Sequence, residues 1–160
     1  MGYTLEAVIG RADTLRSAVR GQPTAVLVPL ALDVMMVPMT DRLFDSVGDG
    51  SQDSPLGFGG VPGGFDRVLA AWSVAGPVGY VEADFFGGIG TQRAAMWNGG
   101  ELVVGPLSVD VNERFPAAGS PISQILRRLG VVRGSHRDEF DAVGLGRHRD
   151  TSDWLPMAGN

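Results

Sequence analysis

Glycine and proline interrupt this chain so often that it can hold only short elements joined by many turns. There are 24 Gly and 10 Pro in 160 residues. Gly permits left-handed backbone and Pro removes an amide donor, so each acts as punctuation. Short strands and helices closed by turn residues are expected rather than a long helical bundle. A chain of this length forms about one domain and can bury a sizeable core. With 44% hydrophobic and 19% charged residues it is too apolar for a disordered protein.

The punctuation divides the chain into readable pieces. "YTLEAVI" (3–9) alternates and reads as a strand, and "RADTLRSAVRG" reads as a short helix with Asp13 as N-cap and Gly21 as stop. "TAVLVPLAL" and "DVMMVPM" are two apolar runs around Asp33, expected as a hairpin or adjacent strands. Thr40 or Asp41 caps a helix through "RLFDSV" that Gly48 ends. Residues 48–64, "GDGSQDSPLGFGGVPGG", form the longest loop.

A helix through "FDRVLAAWSVAG" repeats Phe65, Val68, Leu69 and Trp72 at helical spacing, which makes Trp72 a core residue. "PVGYVEADFF" is strand-like, and "NGG" at 98–100 is a hairpin signal that predicts two antiparallel strands meeting there, with "ELVVGPLSV" returning. "SPISQILRRLG" has Ser120 as N-cap, Pro121 at the first helical position and Gly130 as stop. The pattern predicts an α+β fold. A single compact domain over residues 1–160 would carry a mainly antiparallel sheet and about four short helices, with an irregular C-terminal tail from about residue 150.

Charge and residue usage narrow the chemistry. The absence of cysteine excludes disulfides, thiolate metal sites and cysteine nucleophiles. All 13 basic residues are Arg, as GC-rich coding would produce, and the net charge is −5. That balance disfavours nonspecific attraction to nucleic acid or anionic membrane and suits a basic protein partner. The longest apolar runs contain Pro and Asp and are too short to span a bilayer. The first residues lack the basic start and apolar core of a signal peptide, so a cytoplasmic location is expected. Two His without ligand spacing give no metal motif, no serine sits in GxSxG, and neither metal nor cofactor is expected.

The stretch "YVEADFFGGIGTQRAAMW" (80–97) carries the strongest functional signal. Strand alternation places Val78, Tyr80, Glu82, Asp84 and Phe86 on one face and Val81, Ala83 and Phe85 on the other. Glu82 and Asp84, about 7 Å apart at i and i+2, are a solvated face, a binding face or a catalytic pair. Buried, they would need an Arg, a metal or a proton to compensate them. The glycines of "GGIG" fit a bulge or sharp turn better than a phosphate cradle, because no Lys follows and "NGG" ends any helix within two turns. Arg147, His148 and Arg149 in "GLGRHRD" could clamp carboxylates or pair with Glu82 and Asp84.

The stretches "PGGFDRVLAAWS", "YVEADFFGGIGTQRAAMW" and "GLGRHRDTSDWL" resemble a set of small actinobacterial proteins, a resemblance that spans most of the chain and supplies no catalytic residues. The glycine-bent acidic strand is similar in pattern to strands of small cytoplasmic immunity proteins of bacterial polymorphic-toxin systems. That likeness implies a protein that binds and blocks a toxin domain without doing chemistry. The expected contact residues are Tyr80, Glu82, Asp84 and Phe86, with Asp49 and Asp53 of the loop as rim. The alternative is a small enzyme that uses Glu82 and Asp84 with Arg147, His148 and Arg149.

Overall fold

The computed structural model describes residues 2–86 and 89–155. Six strands form one antiparallel sheet: β1 (Gly2–Arg11), β2 (Val28–Pro29), β3 (Val34–Pro38), β4 (Val78–Phe86), β5 (Ile89–Asn98) and β6 (Glu101–Val109). Their spatial order is β2-β3-β1-β4-β5-β6. Among the described residues five α-helices accompany them: α1 (Ala12–Ala18), α2 (Asp41–Val47), α3 (Phe65–Trp72), α4 (Pro121–Arg128) and α5 (Glu139–Val143). The fold is α+β, as the alternation of strand and helix patterns predicts.

The sheet is covered on both sides, and this explains its sequence. One face carries Val8, Tyr80 and Ala95 against Leu15, Leu43 and Phe65 of α1–α3. The other carries Leu5, Ile9 and Val81 against Ile122, Ile125 and Leu126 of α4, with α5 and Trp154 beside them. A strand buried on both faces reads as a continuous apolar run, and all five residues of β3 are buried. Gly79 is required by the close approach of α4. A Cβ there would stand 2.5 Å from Cγ2 of Ile125.

Local signals account for most boundaries. Thr40 accepts the Leu43 amide at 3.1 Å and Ser120 the Ser123 amide at 3.2 Å, each capping its helix, with Pro121 opening α4. The β5–β6 turn is made by Gly99 and Gly100 at φ 64° and 89°, with Asn98 paired to Glu101, as "NGG" predicts. One cap differs from expectation. α1 follows β1 directly, so Arg11 is its N-cap and Asp13 lies in the first turn, where its charge favours the helix dipole.

A late segment of the described chain, residues 149–151, meets the early strand β1. β3 pairs with Ala7–Arg11 and the Met39 amide just beyond it donates to the Glu6 carbonyl at 2.9 Å, which leaves the near edge from the Glu6 amide back to residue 2 open. Residues 149–151 close that edge: the Thr4 amide donates to the Arg149 carbonyl at 2.8 Å and the Glu6 amide to the Thr151 hydroxyl at 3.1 Å. The segment read as an irregular tail thus carries a short 3-10 turn, Thr151–Trp154, with Trp154 buried. The remainder of that tail, residues 156–160, lies outside the described residues, as do Gly87 and Gly88 of "GGIG". The 48–64 loop also contributes to the core, since Phe58 and Val61 are buried.

Candidate functional site

Strand register builds an acidic cleft on the α1–α3 face of the sheet. Across β1–β4, Glu6 lies opposite Glu82 and Thr4 opposite Asp84. Across β4–β5, Glu82 lies opposite Arg93 and Asp84 opposite Thr91. Directly opposed residues share a face, so Glu6, Glu82, Asp84 and Arg93 converge. With Thr4 and Thr91 they line a cleft of about 240 Å³.

A backbone segment of the glycine-rich loop closes the inner end. Oε2 of Glu82 accepts the Gly60 amide at 2.7 Å and the Tyr80 hydroxyl at 2.8 Å. Nη1 of Arg93 donates to the Gly57 carbonyl at 2.8 Å. Gly60 has to be small here, because a Cβ would overlap the Glu6 carboxylate and the Tyr80 hydroxyl. The loop glycines at 57–60 therefore serve a close approach to the acidic strands as well as a turn.

The three carboxylates are not equivalent. Glu82 is half-buried and doubly hydrogen-bonded, and Asp84 is exposed at the mouth. Glu6 is half-buried, and its carboxylate has no hydrogen bond or ion pair among the described residues. Burial raises the Glu6 carboxyl above the usual carboxylate range, and the charges of Glu82 and then Asp84 push it further the same way. Burial also raises the Tyr80 hydroxyl well above its ordinary value, assisted by the charge and hydrogen bond of Glu82, so Tyr80 stays a phenol and a donor.

Several residues expected at the site occupy other places. Tyr80 is completely buried against Phe58, ring centroids 5.0 Å apart, so it cannot touch a partner and instead supports Glu82. Glu82 is less open than a solvated sheet face requires, because the 57–60 segment lies on it. Phe86 is exposed at the end of β4. Asp49 and Asp53 are both exposed but do not line the cleft. Asp49 stands 3.8 Å from Arg67, and hydrogen bonds from Ser51 hold its carboxyl below the usual range.

The constellation of the enzymatic alternative is not assembled at the cleft either. The Arg147 guanidinium donates to the Pro29 carbonyl at 3.2 Å and sits over Trp154, and His148 meets the Trp154 ring edge-on at 4.6 Å. Neither residue lines the cleft, nor does Arg149.

Comparison with known proteins gives no neighbour: no family model, no curated protein and no solved structure matches this chain. The cleft is read from its own chemistry.

Two of its members, Glu6 and Arg93, are absent from the sequence-based set. Each sits in a strand whose face is defined only relative to β4, and pairing register is not visible in the strand itself. The available signal was a carboxylate inside the apolar alternation of "YTLEAVI". Among the described residues no group of three or more His, Cys, Asp or Glu side chains is arranged to hold a metal ion. Likewise no helix there is long and apolar enough to cross a membrane. A cleft of this size with three carboxylates and one committed guanidinium can accept a single guanidinium or ammonium group.

Proposed function

We propose that the chain is a non-enzymatic protein-binding domain that takes a basic side chain of its partner into the Glu6–Glu82–Asp84 cleft. The narrower proposal is that the partner is a bacterial toxin domain and that occupation of its basic site neutralises it, as immunity proteins do. The observation that carries this reading is the charge imbalance of the cleft. Three carboxylates face one guanidinium, and that guanidinium is engaged by the Gly57 carbonyl.

An Arg or Lys side chain entering the mouth would meet Asp84 first and then relieve the repulsion on Glu6. Phe86, 76% exposed at the end of the same strand, adds apolar contact area beside the acidic mouth. The net charge of −5 favours fast, salt-sensitive association with a basic surface.

Calorimetric titration against purified basic toxin domains, paired with an assay of toxin activity, tests the narrower proposal. Wild type is expected to bind and neutralise a cognate domain, and the Glu6→Gln/Asp84→Asn double variant to bind at least tenfold more weakly, on the order of 1.4 kcal/mol, with a shallower salt dependence. Equal binding and equal neutralisation by the double variant would remove the cleft from the account.

A further inference from the structure

A second pocket lies on the opposite side of the sheet from the acidic cleft. It has a volume of about 500 Å³, opens to solvent, and lies between α4, the segments on either side of that helix and the start of α5. That is within the usual size of a small-molecule site. Its apolar wall is formed by Phe115, Val131 and Val132, and its charged wall by Arg127, Arg133 and Arg137.

Charge accounting in this cavity runs against that of the whole chain. Three arginines line it with two acids, Asp138 and Glu139. Glu139 is buried and matched by Arg127 at 3.0 Å. Asp138 caps α5 by accepting the Asp141 amide at 2.8 Å. Arg133 uses one nitrogen on the His136 carbonyl at 3.1 Å, and the Arg137 guanidinium has no partner among the described residues. One positive charge is left over, in a protein of net charge −5.

The helix N-terminus contributes little to this. The Ile122 amide donates to Oε1 of Gln92 at 3.0 Å and the Ser123 amide to the Ser120 hydroxyl, so those donors are used. A separate donor remains at the floor: Ser123 is 1% exposed, and its hydroxyl has no hydrogen-bond partner among the described residues. A buried hydroxyl without a partner carries a desolvation cost that a ligand acceptor would remove. Phe115 and Val132, 50% and 77% exposed, leave apolar surface at the rim of the same cavity.

We propose that this cavity binds a small monoanion with an apolar body, a carboxylate of the arylacetic or branched aliphatic class. The carboxylate would pair with Arg137 and Arg133 near the Ser123 hydroxyl, and the hydrocarbon would lie against Phe115, Val131 and Val132. The single surplus charge selects a monoanion, and the apolar wall selects against a bare inorganic anion. This site is independent of the acidic cleft and of any partner bound there.

Amide NMR titration of the full chain with phenylacetate tests the proposal, with phenylacetamide and inorganic phosphate as controls. Saturable shifts confined to Ser123, Val131, Val132 and Arg137 are expected in the millimolar range, with much weaker effects from either control. Arg133→Gln and Arg137→Gln, both at exposed positions, should each weaken phenylacetate binding about tenfold without lowering the melting temperature. Glu6→Gln, on the other side of the sheet, should leave phenylacetate binding unchanged. Equal binding of phenylacetamide, tighter binding of phosphate, or no saturable shift at these residues would each overturn the assignment.

Discussion

Glu6 and Glu82 stand directly opposite one another across the β1–β4 pair, on the same face of the sheet. Like charges in that position destabilise a strand pair. Among the described residues only Glu82 is compensated, by the Gly60 amide and the Tyr80 hydroxyl. The other, Glu6, bears the cost, with burial and then the charges of Glu82 and Asp84 raising its carboxyl.

The first consequence is a pH dependence of stability with a definite sign. The folded Glu6 carboxyl titrates above the range of an unfolded glutamate. Its contribution to stability is fully present below the ordinary glutamate range and is lost as pH rises through the raised value. Glu6→Gln should therefore melt at a higher temperature than wild type at pH 7, and the two should converge at acid pH. Thermal melts of both proteins from acid to neutral pH check this. A Glu6→Gln variant that is less stable at pH 7 would show that the carboxylate is compensated after all.

Glu82 and Asp84 should separate in stability although they sit two residues apart on one strand. Asp84 is exposed, so Asp84→Asn should change stability by less than about 0.5 kcal/mol. Glu82→Ala leaves the Gly60 amide and the Tyr80 hydroxyl without their acceptor and should cost about 1–3 kcal/mol. Glu82→Gln keeps an acceptor and relieves the repulsion from Glu6, so its cost should stay under about 1 kcal/mol. Urea denaturation of the three variants resolves the order, and equal losses for Asp84→Asn and Glu82→Ala would contradict the latch on Gly60.

A third prediction concerns the β5–β6 turn, which is tied to the end of α3 by a buried hydroxyl. The Gly100 amide donates to Oγ of Ser73 at 3.0 Å, and the Gly99 amide to the Ser73 carbonyl at 2.9 Å. Ser73 is completely buried. Ser73→Ala strands the Gly100 amide and should lower stability by about 1–2 kcal/mol. The midpoint of urea unfolding should fall while its slope is unchanged. An unshifted midpoint would mean that the turn holds without this tie.

The elements that the sequence reveals are those fixed by local chemistry. Ser120 followed by Pro121 specifies the start of α4, Thr40 the start of α2, and Asn98 with two glycines the β5–β6 turn, because each acts within a few residues of itself. The site is legible only in part for the opposite reason. Glu82 and Asp84 stand out within an apolar strand, but their partners are set by register. Glu6 lies 76 positions earlier, on a strand whose pairing with β4 no local signal encodes. Tyr80 shares the parity of Glu82 and so reads as a surface residue. It is buried because Phe58, from a loop whose composition suggests solvent, folds over it.

The most direct test of the binding account is the titration of the Glu6 carboxyl carbon by NMR, with and without a short arginine-rich peptide. The account predicts a midpoint above the ordinary glutamate range in the free protein. It also predicts a shift to lower pH when the peptide's guanidinium enters the cleft, with Asp84→Asn reducing that shift. A Glu6 carboxyl that titrates in the ordinary range and does not respond to saturating peptide would contradict it.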